Sequence, residues 1–295
     1  MMQIFLFLAT NFTILLAIGI VFSLFDLTGA LNAQGLPLDL NTLLLASALI
    51  GATGSAVSLG LSKWSAKKRM RVTVISQPQN EFTQWLINTV AEQARYFGIR
   101  TPEVGIFHAS EANAFTTGMN KNSALIAVST GLLQTLNKGE IEALIGHEIT
   151  HIANDDMVTM ALIQGVLNTF VYFIASLSGL AVDHLILQNG HTHGIGYFIV
   201  QLLAQITLGF LASLLIIWFS RYREFKADAG GAHLAGRWKM ISALCALYGG
   251  QKTKSLPGQL TAFGINGRSG AKKWFIGHPP LKERIAALER ISPMF

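Results

Sequence analysis

The hydrophobic pattern of this chain runs on two scales. On the longer one, four stretches, residues 4–25, 40–61, 157–182 and 195–219, are almost continuously apolar. Each reaches the roughly 20 residues that carry a helix through a bilayer. The second is rich in Gly, Ala and Ser, a composition that lets helices pack closely. It is also the least apolar, which leaves a full, a shorter or a tilted crossing open. The first follows Met1-Met2-Gln3, with no basic start, and exceeds the apolar part of a signal peptide. It is expected to be a retained anchor.

On the shorter scale, residues 80–100 place Phe82, Leu86, Thr89 and Val90 at helical spacing, with Trp85 beside them and Gly98 as a stop. Residues 103–108 alternate and predict a strand. Residues 113–119 predict a second strand and residues 124–128 a third, with the turn Asn120-Lys121-Asn122 between them. A short helix is expected over 130–135. Asn137 with Glu140 forms a capping-box pattern at the start of another helix. Its apolar face runs through Ile141, Leu144, Ile145, Ile149 and Ile152, and it merges into or abuts the third apolar run.

Charge separates the chain further. Of its 295 residues, 51% are hydrophobic and 13% charged, against about 25% charged in soluble domains. A disordered chain is excluded, and an ordinary soluble enzyme is not expected. Residues 1–62 and 157–220 hold no Lys or Arg. Lys63, Lys67, Lys68, Arg69 and Arg71 follow the second apolar run, and Arg221, Arg223 and Lys226 follow the fourth. The positive-inside rule therefore puts residues 63–156 and 221–295, and both termini, in the cytoplasm. The basic clusters serve as topology signals or hold anionic headgroups. Residues 221–295 carry thirteen basic and four acidic residues. Without a recognisable nucleic-acid fold, that excess reads as membrane-proximal charge. The single cysteine, Cys245, excludes a fold stapled by disulfides. Its apolar neighbours predict a small buried residue.

The helix after Asn137 carries His147-Glu148-Ile149-Thr150-His151, an HExxH motif. Four residues make just over one turn, so both imidazoles leave the same face and can grip one ion. Neutral imidazole suits zinc. Glu148 can reach a metal-bound water, whose pKa zinc lowers to about 7, and take its proton. A catalytic zinc needs a third protein ligand. The extended three-histidine pattern needs histidine at 157, where this chain has Met157. Glu224 could complete the set instead. Asp228, four residues on, could accept a hydrogen bond from a ligand histidine. An ordinary solvated Glu/Asp pair is the plainer reading of those two alone. The two intervening spans form a hairpin that leaves and re-enters the cytoplasmic face, so both halves of the site can meet there.

Taken together, these features resemble the HtpX-type integral membrane zinc metallopeptidases, a family shared with the CAAX prenyl-protein and Oma-type peptidases. The resemblance spans nearly the whole chain: the early spans, Asn113-Ala114-Phe115-Thr116-Thr117-Gly118, His147 to His151 with the residues after it, Arg223 to Asp228, and His278-Pro279-Pro280-Leu281. It implies a multi-pass α-helical membrane protein with an α+β gluzincin-like metallopeptidase domain. Its segments are two spans (1–62), a cytoplasmic α+β part with the HExxH helix (63–156), a transmembrane hairpin (157–220) and a cytoplasmic helical part (221–295).

The resemblance further implies one Zn2+ per chain on His147, His151 and Glu224, Glu148 as general base, and Asp228 behind a ligand. It implies His278 and Arg284 at the tetrahedral intermediate, although His278 capping a helix is equally open. Asn113, Ala114, Phe115 and Thr116 would form an edge strand that pairs with substrate backbone. Misfolded membrane proteins, or unfolded polypeptides, would be the substrates, in quality control at the bacterial inner membrane. Cleavage within the bilayer is disfavoured by the charges around the motif. A membrane scaffold, chaperone or metal-binding transporter is the non-enzymatic alternative. The loop 183–194, with His184, His191 and His193, reads as solvated rather than as a second metal site.

Overall fold

A computed structural model describes residues 39–187, 194–249 and 278–290. The apolar run 4–25 lies outside them, as do His191 and His193. In chain order the elements are α1 (Leu40–Arg69), β1 (Thr73–Val74), α2 (Glu81–Tyr96), β2 (Glu103–Phe107), β3 (Ala114–Gly118), β4 (Ala124–Ser129), α3 (Thr130–Thr135), α4 (Lys138–Ala153), α5 (Asp156–Ala181) with a π turn at Val182–Ile186, α6 (Ile195–Ala235), α7 (Arg237–Gly249) and α8 (Leu281–Arg290). Contacts divide the chain into two compact units, residues 1–58 with 159–215 and residues 59–158 with 216–295.

The first unit is helical among the described residues. α1, α5 and α6 are each long and apolar enough to cross a membrane. Leu202, Leu203, Ile206, Phe210 and Leu215 of α6 are more than half exposed, a surface suited to lipid tails. Close packing falls where side chains are small: a Cβ on Gly51 would lie 2.7 Å from the Gly165 carbonyl oxygen. Leu40 and Leu44 pack on Phe173. Gln201 donates to Ser176 at 2.9 Å, satisfying buried amide and hydroxyl groups together. At the π turn, Asp183 accepts from the Gly194 amide at 2.8 Å.

The second unit joins helices to a four-stranded sheet of order β1-β2-β4-β3. β2 and β4 are parallel, while β1 pairs with β2 and β3 with β4 in antiparallel fashion. Asn80 caps α2 reciprocally with Thr83, and Gly98, at φ 63°, takes the chain out of the helix. Asn137 and Glu140 cap α4 in the same way, as their spacing predicts. One core joins Leu86 and Val90 of α2, Ile141 to Ile152 of α4, Met240, Leu244 and Leu247 of α7, and Leu288 of α8.

Three features differ from the sequence pattern. α4 presents more than one apolar face: every residue from Ala143 to Ile152 is buried. It touches β3 and β4 as well as α2 and α7, so its polar side chains are enclosed with its apolar ones. Cys245 is exposed rather than buried, because α7 turns Met240, Ala243, Leu244 and Leu247 to the core instead. β1 and α7 had no periodic signal of their own. β1 is two residues long, and α7 is apolar on several sides.

Candidate metal centre

α4 sets His147 and His151 one turn apart, with their Nε2 atoms 3.1 Å from each other. α6 supplies Glu224. Its Oε2 lies 3.7 Å from His147 Nε2 and its Oε1 3.5 Å from His151 Nε2. Four ligands at about 2.0–2.1 Å around a tetrahedral ion stand about 3.3 Å apart. The three side chains thus have the separations a metal ion requires. Among the described residues this is the cluster able to hold one.

Glycines permit this approach. A Cβ on Gly231 of α6 would sit 2.8 Å from the Ala143 carbonyl oxygen and 3.0 Å from the His147 amide nitrogen. The helix backbones therefore come close enough for the short Glu224 side chain to reach both imidazoles.

Carboxylates hold the far side of both rings. Asp228 Oδ1 lies 2.9 Å from His147 Nδ1, and Asp156 Oδ2 lies 2.6 Å from His151 Nδ1. An ionised carboxylate can only accept, so each Nδ1 carries a proton and each Nε2 turns its lone pair to the centre. Asp228 is itself gripped by the wholly buried Arg284, through Nε at 2.7 Å and Nη2 at 2.5 Å. Arg284 Nη1 is 3.7 Å from Glu224 Oε2, and His278 Nδ1 is 2.7 Å from that same oxygen.

Glu224 Oε2, both ring nitrogens of His278 and Arg284 Nη1 are buried yet make no well-formed hydrogen bond. Buried polar atoms seldom stay so. Their convergence on the three-ligand cluster fits a site built for a cation and a polar reactant.

The electrostatics follow from burial. Burial pushes the Glu148 carboxyl up to about 8, helped by the Glu224 charge and opposed by His151 and Arg284. His147 is held below its ordinary value, chiefly by burial. Burial pulls His151 the same way, but Asp156 and Glu224 more than reverse it, to about 10. A cation at the centre would take up the Nε2 lone pairs in place of any proton there. Such a cation would also draw Glu148 back toward ionisation.

Asn113 to Thr116 are buried, and β3 stands at the edge of the sheet, against α4. Sequence reasoning left Asp156 among the residues after the motif and Arg223 among the basic residues at the start of the Arg223–Asp228 stretch, with a role behind a ligand histidine for neither. The structure brings both to the back of His151: Arg223 Nη1 is 3.6 Å from Asp156 Oδ2. A carboxylate just past the end of a metal-binding helix was the available signal. His184 lies on the π turn, within the other unit.

A buried cluster of the two HExxH histidines with a glutamate from a second helix, in a chain with helices long and apolar enough to cross a membrane, defines an integral membrane metalloprotease. Residues 80–292 match peptidase family M48, and the chain belongs to that family. It is 53% identical over 294 residues to Protease HtpX of Thioalkalivibrio sulfidiphilus, covering 99% of this chain and 100% of that protein. It is 51% identical over 293 residues to Protease HtpX of Pseudomonas fluorescens, covering 98% and 99%. Among solved structures it resembles S. mikatae Ste24p, with TM-score 0.57 and 17% identity over 94% of this chain and 67% of that one. That likeness concerns the fold.

Proposed function

We propose that this metalloprotease is a zinc-dependent endopeptidase of the bacterial inner membrane. It hydrolyses misfolded or damaged membrane proteins, and unfolded soluble chains, in protein quality control. The observation that carries the zinc reading is the spacing of His147, His151 and Glu224, with buried Glu148 on the same helix turn. Zinc bound there supplies a Lewis acid for the scissile carbonyl and acidifies water.

Glu148 takes the proton of the attacking water and passes it to the leaving amine. A carboxyl tuned upward by burial suits both transfers. His278 Nε2 and Arg284 Nη1, both buried and without a hydrogen bond, are placed to face the developing oxyanion. Substrate backbone adds to the β3 edge at Asn113 to Thr116, a mode that recognises extended chain without demanding one sequence. That tolerance suits unfolded substrates.

The active site faces the cytoplasm. Lys67, Lys68 and Arg69 close α1, and Arg221, Arg223 and Lys226 follow the apolar part of α6. Both clusters favour the cytoplasmic side.

The test is Glu148→Gln in the purified full chain, in detergent or lipid. Zinc content should stay near one per chain while cleavage of an unfolded membrane protein is lost, because Gln cannot accept the proton. Cleavage at the unmodified rate would overturn the mechanism. Zinc-loaded protein that cleaves nothing would favour a scaffold or transporter.

A further inference from the structure

The two ligand histidines are backed in parallel. His147 Nδ1 meets Asp228, which Arg284 grips; His151 Nδ1 meets Asp156, beside which Arg223 stands. Roles for Asp228 and Arg284 in the first of these chains are already implied by the resemblance. Asp156 and Arg223 in the second have been given none. We propose that Asp156, held in place by Arg223, is the positioning residue for His151, setting its tautomer, its ring angle and its strength as a metal ligand.

The backbone is shaped for this contact. Five residues along a straight helix, a side chain points about 140° away from the starting one. Asp156 could not reach His151 if α4 simply continued. The helix stops at Ala153, and Asp155 adopts φ 53°, in the left-handed region. A non-glycine residue reaches that region only under compensation from its surroundings. The turn restarts the chain as α5 with Asp156 as its first residue. There Oδ2 lies 2.6 Å from His151 Nδ1, and Asp156 is 6% exposed.

Arg223 fixes Asp156 from the other side of the site. Its Nη1 donates to the Asp156 carbonyl oxygen at 3.3 Å and lies 3.6 Å from Oδ2. Its Nη2 donates to Ser220 at 3.3 Å, which steadies the guanidinium along α6. Arg223 also precedes Glu224 in sequence. One turn of α6 therefore delivers the third ligand and the clamp on the carboxylate behind the second. A ligand histidine whose far nitrogen is held this way is a better donor and is already oriented when the ion arrives.

This inference rests on the metal reading above, so the experiment separates the two. Zinc affinity of the full chain in detergent is measured by competition with a chromogenic chelator, and the visible spectrum of the Co2+-loaded protein is recorded. Asp156→Asn should bind zinc about 10–100-fold more weakly, with an altered cobalt spectrum and helical content retained by circular dichroism. Asp156→Glu, which keeps the charge, should recover part of the affinity. If the parent chain binds one zinc and Asp156→Asn matches it in affinity and spectrum, the proposal is overturned while the zinc reading stands. If the parent chain binds no zinc, both fall. Should Asp156→Asn fail to fold, Arg223→Gln decides: a weaker zinc affinity supports the clamp, and an unchanged one overturns it.

Discussion

Arg284 holds Asp228 through two hydrogen bonds, at 2.7 and 2.5 Å, with the guanidinium wholly buried. The pair makes α8 part of the site, although Arg284 lies 56 residues after Asp228 in sequence. Removing one partner of such a pair leaves the other as an uncompensated buried charge. Arg284→Gln should therefore lower stability by about 3–5 kcal/mol. Thermal unfolding in detergent measures it, and an unchanged melting temperature would show that Asp228 finds another partner.

Glu224 and Asp228 should separate in their effects. Glu224→Gln removes the only carboxylate among the three ligands and should abolish activity and weaken zinc binding severely. Asp228→Asn leaves all three ligands in place and should cost about 10–100-fold in affinity or activity. Zinc content and cleavage measured together distinguish the two. Full zinc affinity in Glu224→Gln would remove it from the ligand set.

The α4–α6 crossing is sensitive to a single methyl. Gly231→Ala would push a Cβ against the Ala143 carbonyl and the His147 amide, backbone atoms that cannot swing aside. Overpacking of this kind costs about 1–3 kcal/mol. Because the displaced atoms carry a ligand, zinc affinity should fall with stability. A variant as stable and as tight as the parent would show that the helices can part without opening the site.

On the surface of the second unit, Glu103 accepts from Lys63 at 2.8 Å and Lys67 at 2.5 Å. Burial pushes its carboxyl up, but the two ammonium groups outweigh that and hold it below its ordinary value. A carboxylate with a lowered folded pKa stabilises above its unfolded value, and the gain is lost as pH falls through the folded one. Since Glu103 is 42% exposed, the contribution should stay below about 1 kcal/mol. Glu103→Gln should destabilise slightly at pH 7 and reduce the loss of stability under acid. An equal acid sensitivity in both forms would show that these ion pairs contribute nothing.

Topology can be read directly. A reporter fused after Lys67 or after Phe295 should behave as cytoplasmic, and one near Gly190 as external. The reverse pattern would move the active site to the other face of the membrane and change its substrates.

Local signals carried far in this chain. Span length, the Asn137–Glu140 capping box and the one-turn spacing of His147 and His151 depend on neighbours within a few residues, so the sequence alone indicated the three described apolar helices, α4 and the approach of its two histidines. The same holds for the hairpin of β3 and β4, whose turn residues and apolar runs are contiguous. Glu224 and Asp228 were legible as candidates because four residues bring them to one face of a helix.

Tertiary structure decided the rest. The burial of α4 on more than one side comes from the sheet and helices that enclose it, and no periodicity within α4 records them. Cys245 faces outward because α7 commits other residues to the core. Asp156 reaches His151 only through the backbone turn at Asp155, and Arg223 reaches Asp156 only because α6 crosses α4 at glycine. Arg284 reaches Asp228 across a long stretch of chain. Each of these contacts joins residues that covalent geometry leaves independent. The packing of whole elements, rather than any local preference, fixed which carboxylate stands behind which histidine.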